Sequence, residues 1–224
     1  MEIQEKPKSY RQFCGVARAL DRIGERWTLL LVRNLLLGPR RYSDLLDELP
    51  GITTNLLAKR LRELTAAGIV ERRAAPSPAR ADVYALTEQG RALEPVIMEL
   101  GRWGGRFLGR PAPDDVVNIA WGLLSMKRRY RGGLTLSAGF RVGERAFELV
   151  FEPNYLGVFE REATRADVNV EGSFESFQRW LFLGESADLL CARGELTVSG
   201  NPEGWQALLR AFNPPPQRPA SSGS

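Results

Sequence analysis

Lys59, Arg60 and Arg62 fall within four consecutive positions, and Thr53, Thr54 and Asn55 stand just before them. Cationic side chains neutralise phosphates, and hydroxyl and amide groups beside them can hydrogen-bond base edges. More arginines follow at Arg72, Arg73 and Arg80, and Arg40 and Arg41 come before. Together these side chains offer recognition of a polyanion that also carries hydrogen-bonding bases, which is duplex DNA. The chain has no histidine, so the commonest general base and metal ligand is missing. No nucleophile–base motif stands out either; no catalytic residue, metal or cofactor is expected, and the protein is not expected to be an enzyme. Two cysteines, Cys14 and Cys191, cannot build a disulfide framework, which fits a reducing compartment.

The elements that must carry these residues can be read from the spacing of apolar positions. Pro50-Gly51 is a turn signal, and Thr53 is placed to cap a new helix. Leu57, Leu61 and Leu64 recur at four and three, so they share one face of it. Asn55, Lys59 and Arg62 lie opposite, with Thr54 and Arg60 on the flanks. Upstream, residues 42–49 read as a short amphipathic helix joined by a tight turn. Two helices so joined form a helix-turn-helix, whose second helix enters a major groove N-terminus first. Gly68 ends that helix, residues 69–73 and 82–86 read as two strands, and residues 76–80 as the tip between them. A hairpin with arginines at its base and tip is a wing, and Arg80 is the side chain placed to enter a minor groove. An ordinary helix-hairpin unit with solvated charges is the alternative; helix order, loop lengths and charge placement agree on the wing.

Residues 14–23 and 27–36 read as two earlier helices. The stretch from Cys14 to Leu35, Arg40-Arg41-Tyr42-Ser43-Asp44-Leu45, Pro50 to Leu64, and Tyr84 to Gly90 resemble, in this order, the HxlR-type regulators, a MarR-related branch of the winged helix-turn-helix proteins. The resemblance covers roughly the first 108 residues. It implies DNA binding and transcription regulation, with a homodimer formed through the N-terminal helix and the helix after the wing. That later helix begins at Thr87, meets Pro95 within its pattern, and carries Leu93, Val96, Ile97, Leu100, Trp103 and Phe107. Pro95 should kink it or mark a restart. Intrachain packing is the alternative use of its apolar face. In some HxlR-type proteins a cysteine at the position of Cys14 senses oxidants or electrophiles, and Arg11 and Arg18 could lower its pKa. The competing reading, preferred from the sequence, makes Cys14 a small apolar residue on the buried face of the first helix, with Ala17, Leu20 and Ile23. Cys191 reads as plain core.

Charge divides the chain. Residues 1–110 hold 19 Lys and Arg against 13 Asp and Glu, whereas residues 111–224 hold 12 against 14. A DNA-binding half joined to one that does not touch DNA fits this division. The N-terminus lacks an apolar signal region, and the most apolar run, residues 27–37, is broken by Arg33 and Asn34. A cytoplasmic protein without a membrane span is expected.

Residues 109–113 read as a linker, so the expected domains are 1–110, 111–213 and a disordered Pro/Ser-rich tail, 214–224. The second half reads as a helix (116–126), strands at 134–142, 146–151, 155–160 and 166–172, helices at 174–183 and 185–191, a strand at 194–200 and a helix at 202–212. The expected fold class is therefore α+β throughout. The runs at residues 166–177 and 192–209 resemble the sterol carrier protein type 2 (SCP2-like) domain, whose curved sheet and helices enclose an apolar tunnel. On that resemblance Trp121, Phe140, Phe147, Phe151, Phe159, Phe174, Phe177 and Trp180 would line a pocket for an apolar small molecule or lipid; as a solid core they would only pack on one another. The expectation is thus a homodimeric transcriptional regulator, a repressor, that binds an operator in double-stranded DNA and is controlled by an apolar effector. A thiol-switched regulator using Cys14 is one alternative; a lipid carrier or accessory protein without DNA binding is the other.

Overall fold

The computed structural model describes residues 9–74, 82–109, 112 and 114–212. They fall into two compact units that divide between Gly109 and Arg110.

In the first unit, α1 (Gly15–Ile23) and α2 (Thr28–Leu35) lead into β1 (Arg40–Arg41), α3 (Tyr42–Glu48) and α4 (Thr54–Ala66). Then come β2 (Val70–Ala74), β3 (Asp82–Leu86), α5 (Glu88–Arg91), α6 (Glu94–Gly104) and a 3-10 turn, Gly105–Phe107. Leu31, Leu45, Leu57, Leu61, Leu64 and Ile69 form the middle of its core. Leu57, Leu61 and Leu64 of α4 thus face inward, as their spacing requires, and Leu56 is half-buried beside them. Trp27 stands outside α2 because its backbone is left-handed, φ 77°. Pro95 marks a restart and no kink: α5 stops at Arg91, and Pro95 sits in the first turn of α6, where its missing N–H breaks no helical bond. Strand β3 lies between β1 and β2, antiparallel to both, with Arg72 opposite Tyr84 and Ala74 opposite Asp82. Thr87 ties this hairpin to its surroundings: its hydroxyl donates to the Gly68 carbonyl at 2.6 Å and accepts from the Gly90 amide at 3.0 Å.

The second unit is an antiparallel-dominated mixed sheet with helices. Its elements are α7 (Ile119–Met126), β4 (Leu136–Val142), β5 (Arg145–Glu152), β6 (Tyr155–Phe159), β7 (Val168–Gly172), α8 (Phe174–Leu181), α9 (Ala187–Ala192), β8 (Leu196–Gly200) and α10 (Pro202–Phe212). The order across the sheet is β6-β5-β4-β7-β8, with only the β4–β7 pair parallel. Helix α7 starts later than its apolar run suggests: Asn118 caps it by accepting from the Ala120 amide, leaving Val116 and Val117 exposed before it.

Strand parity gives the sheet two unlike faces. Phe140 pairs with Phe147, Ala138 with Leu149 and Leu136 with Phe151, so these apolar side chains share the face on which the helices pack. Gly139 pairs with Glu148 and with Asn169 on the other face. A chain running from β6 to β7 must cross β5 and β4. It does so over that second face, where Arg161 binds the buried Glu148 at 2.6 Å and Glu162 binds Arg141 at 2.8 Å. Gly139 has no room for a side chain there: a Cβ would come 3.3 Å from that of Ala163 and closer still to the Asn169 amide oxygen. A polar cleft lined by Arg141, Glu162, Asn169 and Glu171 opens beside the crossing.

Candidate nucleic-acid interface

Helix α4 is launched by two polar contacts. Thr53 caps it, its hydroxyl accepting from the Leu56 amide at 3.3 Å, and the Tyr42 hydroxyl of α3 donates to the Thr54 carbonyl at 2.6 Å. Gly51, with φ 92°, makes the turn between α3 and α4, and Gly68, with φ 70°, follows the end of α4. With Leu57, Leu61 and Leu64 held in the core, Thr54, Asn55, Lys59 and Arg62 are exposed on the solvent side. Arg62 forms no ion pair among the described residues. Arg41 is also exposed, at the start of α3, where its amide donates to Asp44 at 2.9 Å.

Arg60 departs from the expectation that it faces phosphates. It is only 7% exposed. Its Nε donates to the Arg26 carbonyl at 3.2 Å, its Nη2 to Glu25 at 2.7 Å, and its Nη1 to Glu63. The flank position puts Arg60 between the apolar and polar faces, and the turn after α1 supplies acceptors that draw it inward. Sequence periodicity could not show this, because the partners lie 34 and 35 residues away. Arg40 is likewise internal, 3.4 Å from Glu48. Arg33, part-buried beside them, has its pKa pulled down to about 10 by desolvation, with Glu48 opposing, so it stays charged at neutral pH.

In the wing, Arg72 and Arg73 are exposed, but each has a carboxylate beside it. Arg72 pairs with Asp82 of β3, and Arg73 lies 3.6 Å from Glu71. Such exposed pairs are weak and exchange readily for a phosphate. Arg80 and the wing tip lie outside the described residues. The structure thus brings Asn55, Lys59 and Arg62 onto one exposed face of α4, with Thr53 and Thr54 exposed at its N-terminal end, Arg41 at the start of the preceding helix and Arg72 and Arg73 in the wing.

Two groups of residues flank this unit's chemistry without belonging to it. Val16, Leu20, Val96, Leu100, Trp103 and Phe107 are exposed on α1, α6 and the turn after α6, and only Ile97 of the α6 set is buried. Trp103, 58% exposed, and Phe107, 71% exposed, stack edge to face at 4.9 Å. Cys14 is exposed, correcting the preference for a buried position; of its expected companions Ala17 and Ile23 are buried and Leu20 is not. It stands at the N-terminus of α1. The backbone N–H groups of Ala17, and next of Val16, hold its thiol below the usual range, although its side chain forms no regular capping bond. Cys191 is half-buried, and desolvation pushes its thiol up.

The eight aromatic residues expected to line a pocket in the second unit do not gather in one place. Phe140, Phe147, Phe151 and Phe177 are fully buried, and Phe140, Phe177 and Trp180 pack on one another at centroid distances of 5.4 to 5.9 Å. Trp180 also meets Trp205 at 5.4 Å. Phe159 belongs to the opposite face, since it pairs with Glu148, and Arg161 lies 4.6 Å over its ring. Phe174, in the first turn of α8, is exposed, and Trp121 is half-buried. Phe140, Phe147, Phe151, Phe177 and Trp180 are thus buried, whereas Phe159 lies on the other face of the sheet and Phe174 is exposed. Among the described residues no group of acidic or cysteine side chains could hold a metal ion, and no helix is long and apolar enough to cross a membrane.

An amphipathic helix pair, a tight turn and a two-stranded wing define a DNA-binding regulator of the winged helix-turn-helix class. Residues 22–111 match the HxlR-like helix-turn-helix family, and the chain belongs to that family. The HTH-type transcriptional regulator YodB of Bacillus subtilis is 37% identical over 99 residues, covering 44% of this chain and 86% of YodB. An HTH-type regulator of Synechocystis, sll1512, is 38% identical over 96 residues, covering 42% of this chain and 70% of that protein. Among solved structures, the oxidized form of the redox regulator HypR is 35% identical, covers 44% of this chain and all of that chain, and superposes with a TM-score of 0.40.

Proposed function

We propose that the protein is a homodimeric repressor that reads an operator with α4 and grips its backbone with Arg41, Lys59, Arg62 and the wing arginines Arg72, Arg73 and Arg80. The observation that carries this is the placement of Asn55, Lys59 and Arg62 on one exposed face of α4 while Leu57, Leu61 and Leu64 are buried. Thr53, Thr54 and Asn55 stand in the first turns, which reach base edges in such motifs; Asn55 suits adenine and Lys59 suits guanine. The exposed apolar stripe of α1 and α6 is the surface through which two copies join, in a cytoplasmic protein. A mobility-shift titration on the duplex upstream of its own gene tests the DNA half. Affinity should fall steeply with salt, and Arg62→Ala should lower the slope of log K against log salt by about 0.9. Undiminished affinity in a Lys59→Ala, Arg62→Ala double variant would count against it.

Control has two candidate seats. The exposure of Cys14 and its lowered thiol pKa favour a thiol switch on α1. In the second unit, taken as an SCP2-like sensor over residues 111–213, an apolar effector would have to part packed rings. The place that favours its entry lies between α7 and α8: the Phe182 ring occupies the space above Gly122 and is itself 39% exposed. Phe177, Trp180 and Trp121 belong to the same two helices.

A further inference from the structure

We propose that Arg60 is a positioning residue for DNA recognition: it fixes the rotation of α4 against the turn that ends α1 without touching DNA itself. This rests on the reading of α4 as the recognition helix. The leucines that hold α4 down supply apolar adhesion, which has no direction and permits small rotations and slides. Base-edge hydrogen bonds do not, because their strength falls steeply with distance and angle. Something directional must therefore set the helix. A guanidinium is suited to this, since its donors project in one plane at fixed angles.

Arg60 spends those donors in three directions. Two go to the turn after α1, to the carbonyl of Arg26 and the carboxylate of Glu25, and one returns to Glu63 on α4 itself. The same turn reaches the start of α4 by a second route. Trp27, held in a left-handed conformation, is half-buried against the core and lies beside Gly51, the residue that begins the bend into α4. So one three-residue turn, Glu25-Arg26-Trp27, meets α4 both at its entry and one and a half turns further on. Arg60 is neighbour in sequence to Lys59 and two residues from Arg62, both exposed, so a rotation it permits is delivered to both. The turn is also the C-terminal end of α1, the helix that carries Cys14 and part of the exposed apolar stripe. A shift of α1 would thereby reach α4 through Arg60.

Full-length Arg60→Gln and Glu25→Gln proteins test this, titrated by fluorescence anisotropy on the upstream duplex and on a scrambled duplex across a salt series. For Arg60→Gln the expected result is about a tenfold loss or more on the specific duplex, with scrambled-duplex affinity within about twofold and the salt slope unchanged. A slope lower by about 0.9 would make Arg60 a phosphate contact and overturn the proposal. Specific affinity left intact, with only the melting temperature lowered, would reduce it to a stability brace and also overturn it. Glu25→Gln supplies the milder variant, since Glu25 is about half exposed and its loss leaves the core whole. It should weaken specific binding, although it removes a negative charge from a protein that binds a polyanion. Tighter binding to both duplexes would mean that Glu25 acts only as a repelling charge, and would sink the proposal. Failure of the unaltered protein to bind in a salt-sensitive way would instead overturn the reading of α4 on which it rests.

Discussion

The two cysteines differ in every property that sets thiol reactivity. Cys14 is exposed at a helix N-terminus whose amides favour the thiolate; Cys191 is half-buried, and desolvation and the charge of Asp188 oppose its ionisation. A pKa below the usual value means a larger thiolate fraction at neutral pH, and a raised one means a smaller fraction. With iodoacetamide at pH 7, mass spectrometry of the native protein should find Cys14 alkylated first and Cys191 slowly. The preference should shrink above pH 9, where an ordinary thiol is also ionised. Equal labelling rates at pH 7 would remove the physical basis of a thiol switch. The arginines teach the same lesson about environment. Arg60 and Arg62 are two positions apart, yet one is locked among carboxylates and a carbonyl and the other is open to a phosphate.

At the scale of elements, α6 is the helix whose apolar supply exceeds its own unit's need. Ile97 is buried, while Val96, Leu100 and Trp103 remain in solvent along the same helix. Exposed apolar residues in a contiguous stripe signify an interface more often than chance scatter. A second copy meeting the stripe through a two-fold axis would cover it with the same residues. Trp103→Glu should accordingly shift the protein from dimer to monomer in sedimentation velocity and weaken operator binding by about 100-fold, since two half-sites would no longer be held together. A dimer of unchanged stability would direct attention to α1 alone. Helix α4, by contrast, divides its side chains cleanly: Leu57, Leu61 and Leu64 go to the core, Arg60 to the turn before α2 and to Glu63, and Asn55, Lys59 and Arg62 lie on the exposed side.

At the scale of the whole chain, two units with separate cores share one polypeptide. The first has a leucine-rich core built from its own helices and hairpin, and the second an aromatic one built on one face of its sheet. A chain ending at Gly109 should therefore keep its fold and its salt-dependent operator affinity to within about threefold, as circular dichroism and anisotropy would show. A molten or DNA-silent fragment would mean that the second unit completes the first. The second unit's sheet also shows how topology governs composition: because the β6-to-β7 chain crosses over β5 and β4, that face must carry Gly139 and a buried, paired Glu148 where an open sheet face would carry any polar residue.

The sequence by itself determined the helix-turn-helix, the wing strands, the restart allowed at Pro95 and the two-faced strands of the second half, because helical and strand periods and turn residues are local properties of the chain. Parity likewise placed Phe140, Phe147 and Phe151 together. What only the tertiary structure decided were contacts between distant segments: Arg60 drawn in by Glu25 and the Arg26 carbonyl, Cys14 left outside, Phe159 turned to the opposite face, and the aromatic rings closed on one another as core. Those outcomes depend on which acceptors and which surfaces arrive from elsewhere in the chain, and no periodicity within one segment carries that information.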